Sequence, residues 1–332
     1  MSVIPLLVCD DSNMARKQVL RALPSDWAVS VSEAADGRQG LEAIRQGLGR
    51  VVLLDLTMPV MDGYQVLTAI REEGLDAKVI VISGDVQEEA VRRVLGLGAL
   101  AFLKKPFDTD ELTATLERLG LMGAPGQMRF ANAQADLPAV SFRDALRETI
   151  NVAIGRAAAL IAQVLGVFVQ LPVPNVNLLE VGELHMALAD LCSGNQLTAI
   201  CQGYIGSGIA GEALLIFHDS DVADMAQLMQ RTSPDYGDME MLLDLSSVLI
   251  GACLSSIAEQ IDVVFSQGHP QLLGEHAAID ELIRVNHQHW KKTLAVEISY
   301  SLEGHNIHFD LLLLFTEDSV ERLNQKLAYL MN

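Results

Sequence analysis

Between residues 1 and 120 the chain repeats one pattern five times: a short apolar, β-rich run followed by a stretch with helical spacing. The runs are "PLLVC", "WAVSVSEA", "VVLLD", "KVIVIS" and "LAFLK". Strands that alternate with amphipathic helices pair in parallel, because each helix returns the chain to the edge from which the last strand set out. The expected product is a parallel sheet with helices on both faces. In such a sheet ligands bind at the carboxyl ends of the strands.

Those ends carry a particular set of side chains. Asp10 and Asp11 follow the first run, Asp55 ends the third, Ser83 ends the fourth, and Lys105 follows the fifth, directly before Pro106. Three carboxylates held together repel one another, and a Mg²⁺ with oxygen ligands relieves that repulsion. Asp55 would then be able to attack a phosphoryl group. Mg²⁺, the Lys105 ammonium and the Ser83 hydroxyl would neutralise its three oxygens.

This constellation resembles the receiver domain of bacterial response regulators, over residues 1–122. The resemblance implies a flavodoxin-like (βα)5 fold, Mg²⁺ as cofactor and a sensor histidine kinase as partner. It makes Asp55 the phosphoacceptor, with Asp10, Asp11, Asp55 and the backbone carbonyl of Thr57 as the metal ligands. Ser83 matches the switch hydroxyl and Phe102 the switch aromatic. Lys105 matches the phosphate-binding lysine, before a proline whose peptide bond is expected to be cis. Phosphorylation would draw Ser83 inward with Phe102 following, a two-state element biased by local charge.

At 332 residues the chain is long enough for a second domain. Residues 123–140, "GAPGQMRFANAQADLPAV", have the composition of a linker and no clear period. Residues 141–332 read as an internal duplication. Long apolar helices start near Phe142 and Met239, each followed by a proline (Pro174, Pro270) and a connecting segment. Two strands and a closing helix then follow, the helices starting at Phe217 and Phe315. The register holds at just under 100 residues (174 to 270, 217 to 315). The expectation is a pseudo-twofold α/β domain with long helices packed on a sheet.

No helix-turn-helix composition, P-loop, GxSxG, HExxH or metal cluster occurs after residue 141. His287 and His289, two apart, read as a solvated pair. Attention falls on "DALRETIN", which puts Asp144, Glu148 and Asn151 on one helix face. An acyl phosphate is already reactive, so speeding its hydrolysis needs one well-placed water and a grip on the protein that carries it. A carboxamide at Asn151 donates to and accepts from water without changing charge. A carboxylate at Glu148 suits the lysine that every receiver offers beside its phosphoryl group. The amide must then face a surface that a visiting protein can reach. The opposite face, Ile150, Ala153, Ile154, Ala157, Ile161 and Val164, is expected to bury against the sheet.

Asp144, Glu148, Asn151 and Pro174 fit the motif of the CheC/CheX/FliY family of CheY phosphatases, which this half resembles. That resemblance implies hydrolysis of the phospho-aspartate of a CheY-type receiver, gated by Asp55, with no cofactor of the phosphatase domain's own. Members of both families pair with themselves, which puts a homodimer among the expected partners. The second copy sets Glu240, Asp244 and Ser247 in the same register. Asp is shorter than Glu and a serine hydroxyl reaches less far than an amide, so a weak or dead site is expected at Asp244 and Ser247. The rival reading is a binding module that captures phosphorylated receivers or a flagellar or chemotaxis partner without catalysis.

Composition trims the alternatives. A formal net charge of −20 without a basic stripe disfavours nucleic acid and anionic membrane as partners, and with them a DNA-binding output. No apolar run approaches ~20 residues, so no membrane-spanning helix is expected. The start lacks a basic segment and cleavage site of a signal peptide. Cys9, Cys192, Cys201 and Cys253 show no CxxC pairing and read as reduced thiols, consistent with cytoplasm.

Overall fold

The computed structural model describes residues 3–122, 129–130, 139–180, 197–229, 237–277 and 292–331. Cys192, the His287 and His289 pair and most of the 123–140 segment lie outside them. The chain forms two compact units, Met1–Glu148 and Thr149–Leu330.

In the first unit the five expected strands form: β1 (Ile4–Cys9), β2 (Val29–Ala34), β3 (Val51–Leu54), β4 (Lys78–Ser83) and β5 (Ala101–Lys104). Helices α1 (Asn13–Ala22), α2 (Gly37–Arg45), α3 (Gly63–Glu73), α4 (Glu88–Gly96) and α5 (Thr109–Arg118) connect or follow them. All pairings are parallel, in the order β5-β4-β3-β1-β2. Successive residues of a strand point to opposite faces, and the core splits accordingly. Leu6, Val8, Leu53, Ile80 and Ile82 pack in one layer, and Leu7, Cys9, Val52, Leu54, Val79 and Val81 in the other. Short polar side chains start most of the helices: Ser12, Asp36, Asp62 and Asp108 each accept a backbone N–H of the first turn.

One strand was not expected. Arg129 and Phe130 form β6, paired in parallel with β2 at Ser30 and Val31. Two residues leave no periodicity to read, so a segment of linker composition still adds an edge to the sheet.

Helix α6 (Phe142–Leu165) begins in the first unit and continues into the second. Ser141 and Asp144 cap it reciprocally: Asp144 N donates to Ser141 Oγ (3.1 Å) and Ser141 N donates to Asp144 Oδ2 (3.2 Å). Asp144 is thus committed to starting the helix.

The second unit continues with β7 (Val169–Gln170), β8 (Asn175–Glu180), β9 (Leu197–Gly206), β10 (Ile209–His218) and α7 (Asp219–Leu228). The same order follows in α8 (Asp238–Gln260), β11 (Ser266–Gln267), β12 (Gln271–Ala277), β13 (Lys292–Leu302), β14 (His308–Thr316) and α9 (Glu317–Met331). The sheet is antiparallel, ordered β11-β9-β10-β14-β13-β7, with β10 and β14 meeting at its centre. β12 lies on β9 and β8 on β13, so each half lends a strand to the other's hairpin. The sequence had shown these two only as connecting segments. At Gly211 a side chain would meet the Leu314 carbonyl at 2.1 Å, and the Tyr204 ring lies over the gap and donates its hydroxyl to that carbonyl (3.0 Å).

Ile150, Ala153, Ile154, Ala157 and Ile161 are buried as expected, but Val164 is 44% exposed and Leu165 takes its place inside. At 3.6 residues per turn the stripe drifts by one position over four turns. Gln260 Nε2 donates to the Thr149 carbonyl (2.9 Å) and Arg156 pairs with Glu259, tying α6 to α8. The reading that no stretch is apolar enough to span a membrane needs correction. By length and composition both α6 and α8 are, with windows of mean hydropathy 1.2 and 1.8, although 67% and 56% of those windows are buried inside the protein. Cys9 and Cys253 are buried free thiols and Cys201 is half-buried.

Candidate functional site

The carboxyl edge of the first sheet gathers what the strand ends promised. The amide of Asp55 donates to the Cys9 carbonyl (2.9 Å), which sets the end of β3 beside that of β1. Asp10, Asp11 and Asp55 each offer a carboxylate oxygen, all within 4.8 Å of one another. Ser12 N donates to Asp10 Oδ1 (2.9 Å) and Thr57 N to Asp55 Oδ2 (3.0 Å), fixing two of the three carboxylates. Gly63 opens α3 where a Cβ would sit 2.4 Å from the Asp55 carbonyl, so only glycine lets that helix approach the acid. Arg16, which the sequence reading passed over, donates to the Asp10 carbonyl (2.7 Å) and pairs with Glu33 (2.9 Å).

Lys105 follows β5, its amide bonded to the Ser83 carbonyl (2.9 Å) and its peptide bond to Pro106 cis. Its Nζ lies 2.7 Å from Asp10 Oδ2, 3.1 Å from Asp55 Oδ1 and 3.0 Å from Glu148 Oε1. Burial alone would lower its pKa, but Asp10, Asp55 and Glu148 together hold it well above the ordinary lysine value. Burial raises the carboxyl of Asp55 well above the usual range, against the pull of Lys105. Burial also raises Glu148, again opposed by Lys105. Asp11 is pushed up to about 6 by burial and by Asp10, with Arg147 drawing it back.

Glu148 and its neighbour Arg147 come from the first turns of α6. Arg147 Nη2 lies 3.3 Å from both Asp11 Oδ2 and the Asp11 carbonyl oxygen. Two adjacent residues thus reach the acids and the lysine of the receiver pocket within one unit. Arg147 carried no signal in sequence, since any exposed arginine on a helix looks the same before its partner is known. Ser83 is buried, its hydroxyl accepting from Asp85 N (3.2 Å), and Phe102 is half-buried against the core.

The pocket fits Mg²⁺. Its donors are hard oxygens, and Asp55 Oδ1 is buried without a hydrogen bond although Lys105 stands 3.1 Å away. The α6 face departs from expectation. Glu148 is 3% exposed and Asn151 7%, so the amide does not lie on a surface open to a visitor. At Glu148 the cause is on the page: Lys105 occupies its carboxylate. On α8 the corresponding Asp244 and Ser247 are exposed.

Residues 6–117 match the response regulator receiver domain. The transcriptional regulatory protein DltR of Streptococcus agalactiae is 36% identical over 130 residues, 38% of this chain; the chain spans 57% of that relative's length. The chemotaxis protein CheY of Treponema pallidum is 38% identical over 117 residues, covering 34% of this chain and 78% of that protein. Among solved structures, FliY of Thermotoga maritima is similar with a TM-score of 0.43 and 16% identity, over 57% of this chain and 96% of that one. Through the receiver domain that these acids and this lysine complete, the chain belongs to the response regulator family of two-component signalling.

Proposed function

We propose that this is a cytoplasmic chemotaxis-type response regulator with a receiver (1–122), a linker (123–140) and a phospho-aspartyl phosphatase domain (141–332). A sensor histidine kinase phosphorylates Asp55. Mg²⁺, held by Asp10, Asp11, Asp55 and the Thr57 carbonyl, would supply charge neutralisation at the phosphoryl oxygens. Lys105 and Ser83 hold the oxygens that remain, and Phe102 reports the state. Glu148 grips the receiver lysine, and Asn151, one turn further along the same face, aims a water at the phosphorus. The water oxygen forms a bond to phosphorus as the bond to the aspartyl oxygen breaks. The carboxylate leaves, and the water's proton goes with the inorganic phosphate.

The observation that carries this reading is the contact of 3.0 Å between Glu148 and Lys105, with both side chains buried. An exposed pair would say little, since such pairs form readily and contribute about 0–1 kcal/mol. A buried carboxylate survives only where a partner has been built for it. Here that partner is the lysine beside the phosphoacceptor.

Burial of Glu148 and Asn151 also favours a second reading, in which the helix docks on a receiver without catalysis. One assay separates the two: a phosphorylated receiver is mixed with the full chain and phosphate release is followed. In the catalytic reading Asn151→Ala removes turnover while leaving association, and Glu148→Ala weakens both. Turnover at the wild-type rate in Asn151→Ala leaves the docking module.

A further inference from the structure

We infer that the substrate of this phosphatase is the chain's own phospho-Asp55, hydrolysed within one molecule; the inference rests on the phosphatase reading above and narrows it. The lysine in the grip of Glu148 is Lys105 of the same chain, 3.0 Å away, and that lysine also touches Asp55 at 3.1 Å. Arg147 adds a second tie to the same pocket at Asp11. Glu148, Lys105, Asp10 and Asp55 are all buried, so the carboxylate that would hold a substrate lysine is already in use.

A receiver arriving from solution needs that same carboxylate. It must first displace Lys105, which leaves the displaced lysine facing Asp10 and Asp55 alone. It also competes against a group held on the same chain, whose effective concentration is on the order of mM. Arg147 sharpens the distinction. It lies outside the Glu-x-x-Asn pair and touches no reacting atom. It is a positioning residue whose partner, Asp11, belongs to this receiver.

The reaction needs no further reagent. Water attacks the phosphorus of phospho-Asp55, the bond between that phosphorus and the Asp55 carboxylate oxygen breaks, and inorganic phosphate is released. Asp55 returns as a carboxylate beside Lys105. The phosphorylated state would therefore carry its own clock.

The test uses the full chain, phosphorylated by acetyl phosphate with Mg²⁺ and then freed of donor. The expected decay is first order at a rate independent of protein concentration. Asn151→Ala slows it by about tenfold or more. Glu148→Gln, which keeps the shape and removes the charge, slows it as well, and Arg147→Ala does so to a smaller degree with a loosened helix seen by hydrogen exchange at 145–151. Phosphorylated Asn151→Ala chain is then mixed with Asp55→Asn chain, which has the helix but no acceptor; no acceleration is expected.

Acceleration in that mixture, or a decay rate that rises with concentration, overturns hydrolysis within one molecule. So does an Asp55 phosphate insensitive to Asn151→Ala while an added, separately phosphorylated receiver protein is cleared in an Asn151-dependent way. That last pattern leaves the phosphatase reading intact. If neither substrate responds to Asn151→Ala, the phosphatase reading itself fails.

Discussion

Helices α6 and α8 hold the same place in the two halves of the second repeat and are nearly equal in length, 24 and 23 residues. Their polar faces have opposite fates. On α6, Glu148 and Asn151 are buried; on α8, the corresponding Asp244 and Ser247 are exposed. The halves have kept their fold and lost the equivalence of their surfaces. A glutamate that meets a lysine is a built contact, whereas the shorter pair on the second helix faces water.

The sharpest way to break this comparison is to remove what the first face meets. Asp55→Asn is expected to abolish phosphoryl incorporation entirely, measured with a labelled phosphodonor; incorporation that persists would place the acceptor elsewhere. Next in size, Glu148→Ala should destabilise the first unit by ~1–3 kcal/mol in urea unfolding, because Lys105 loses one of three buried partners. It should also lengthen the life of the phosphorylated state.

Grafting the first face onto the second is a more demanding test. The double change Asp244→Glu and Ser247→Asn puts the longer acid and the amide where a visiting receiver can reach them. It is expected to clear an added phosphorylated receiver about tenfold faster than the parent chain does. No gain would mean that residue identity is insufficient and that the buried setting of α6 does the orienting. The smallest effect belongs to the truncations Asp244→Ala and Ser247→Ala. Each should change stability by less than ~0.5 kcal/mol and leave the Asp55 phosphate lifetime untouched, as expected of exposed helix positions.

The strand-end acids and Lys105 were legible in sequence because a parallel sheet sends all its carboxyl ends to one edge. A position along the chain there translates directly into a position in space. The repeat was legible from matched prolines and closing helices. What escaped was whatever depends on a partner. Arg147 and Arg16 take their roles from Asp11 and Asp10, and no local pattern marks them. The burial of Asn151 contradicts the expectation of an open face, since an amphipathic helix reads as solvated on its polar side until something polar covers it. Strands β8 and β12 were hidden for a related reason: "NVNLLE" and "QLLGEHA" alternate too little to stand out, and gain their order from β13 and β9.

That exchange of strands has a consequence for how the second repeat can come apart. Because β8 completes the far hairpin and β12 the near one, the duplication is clasped like two hands with interlaced fingers. A protein cut between β10 and α8 would strip β9 of β12 and β10 of β14, baring two raw sheet edges that invite clumping. Half a repeat is not a smaller version of the whole, so the pair must assemble and melt as one piece.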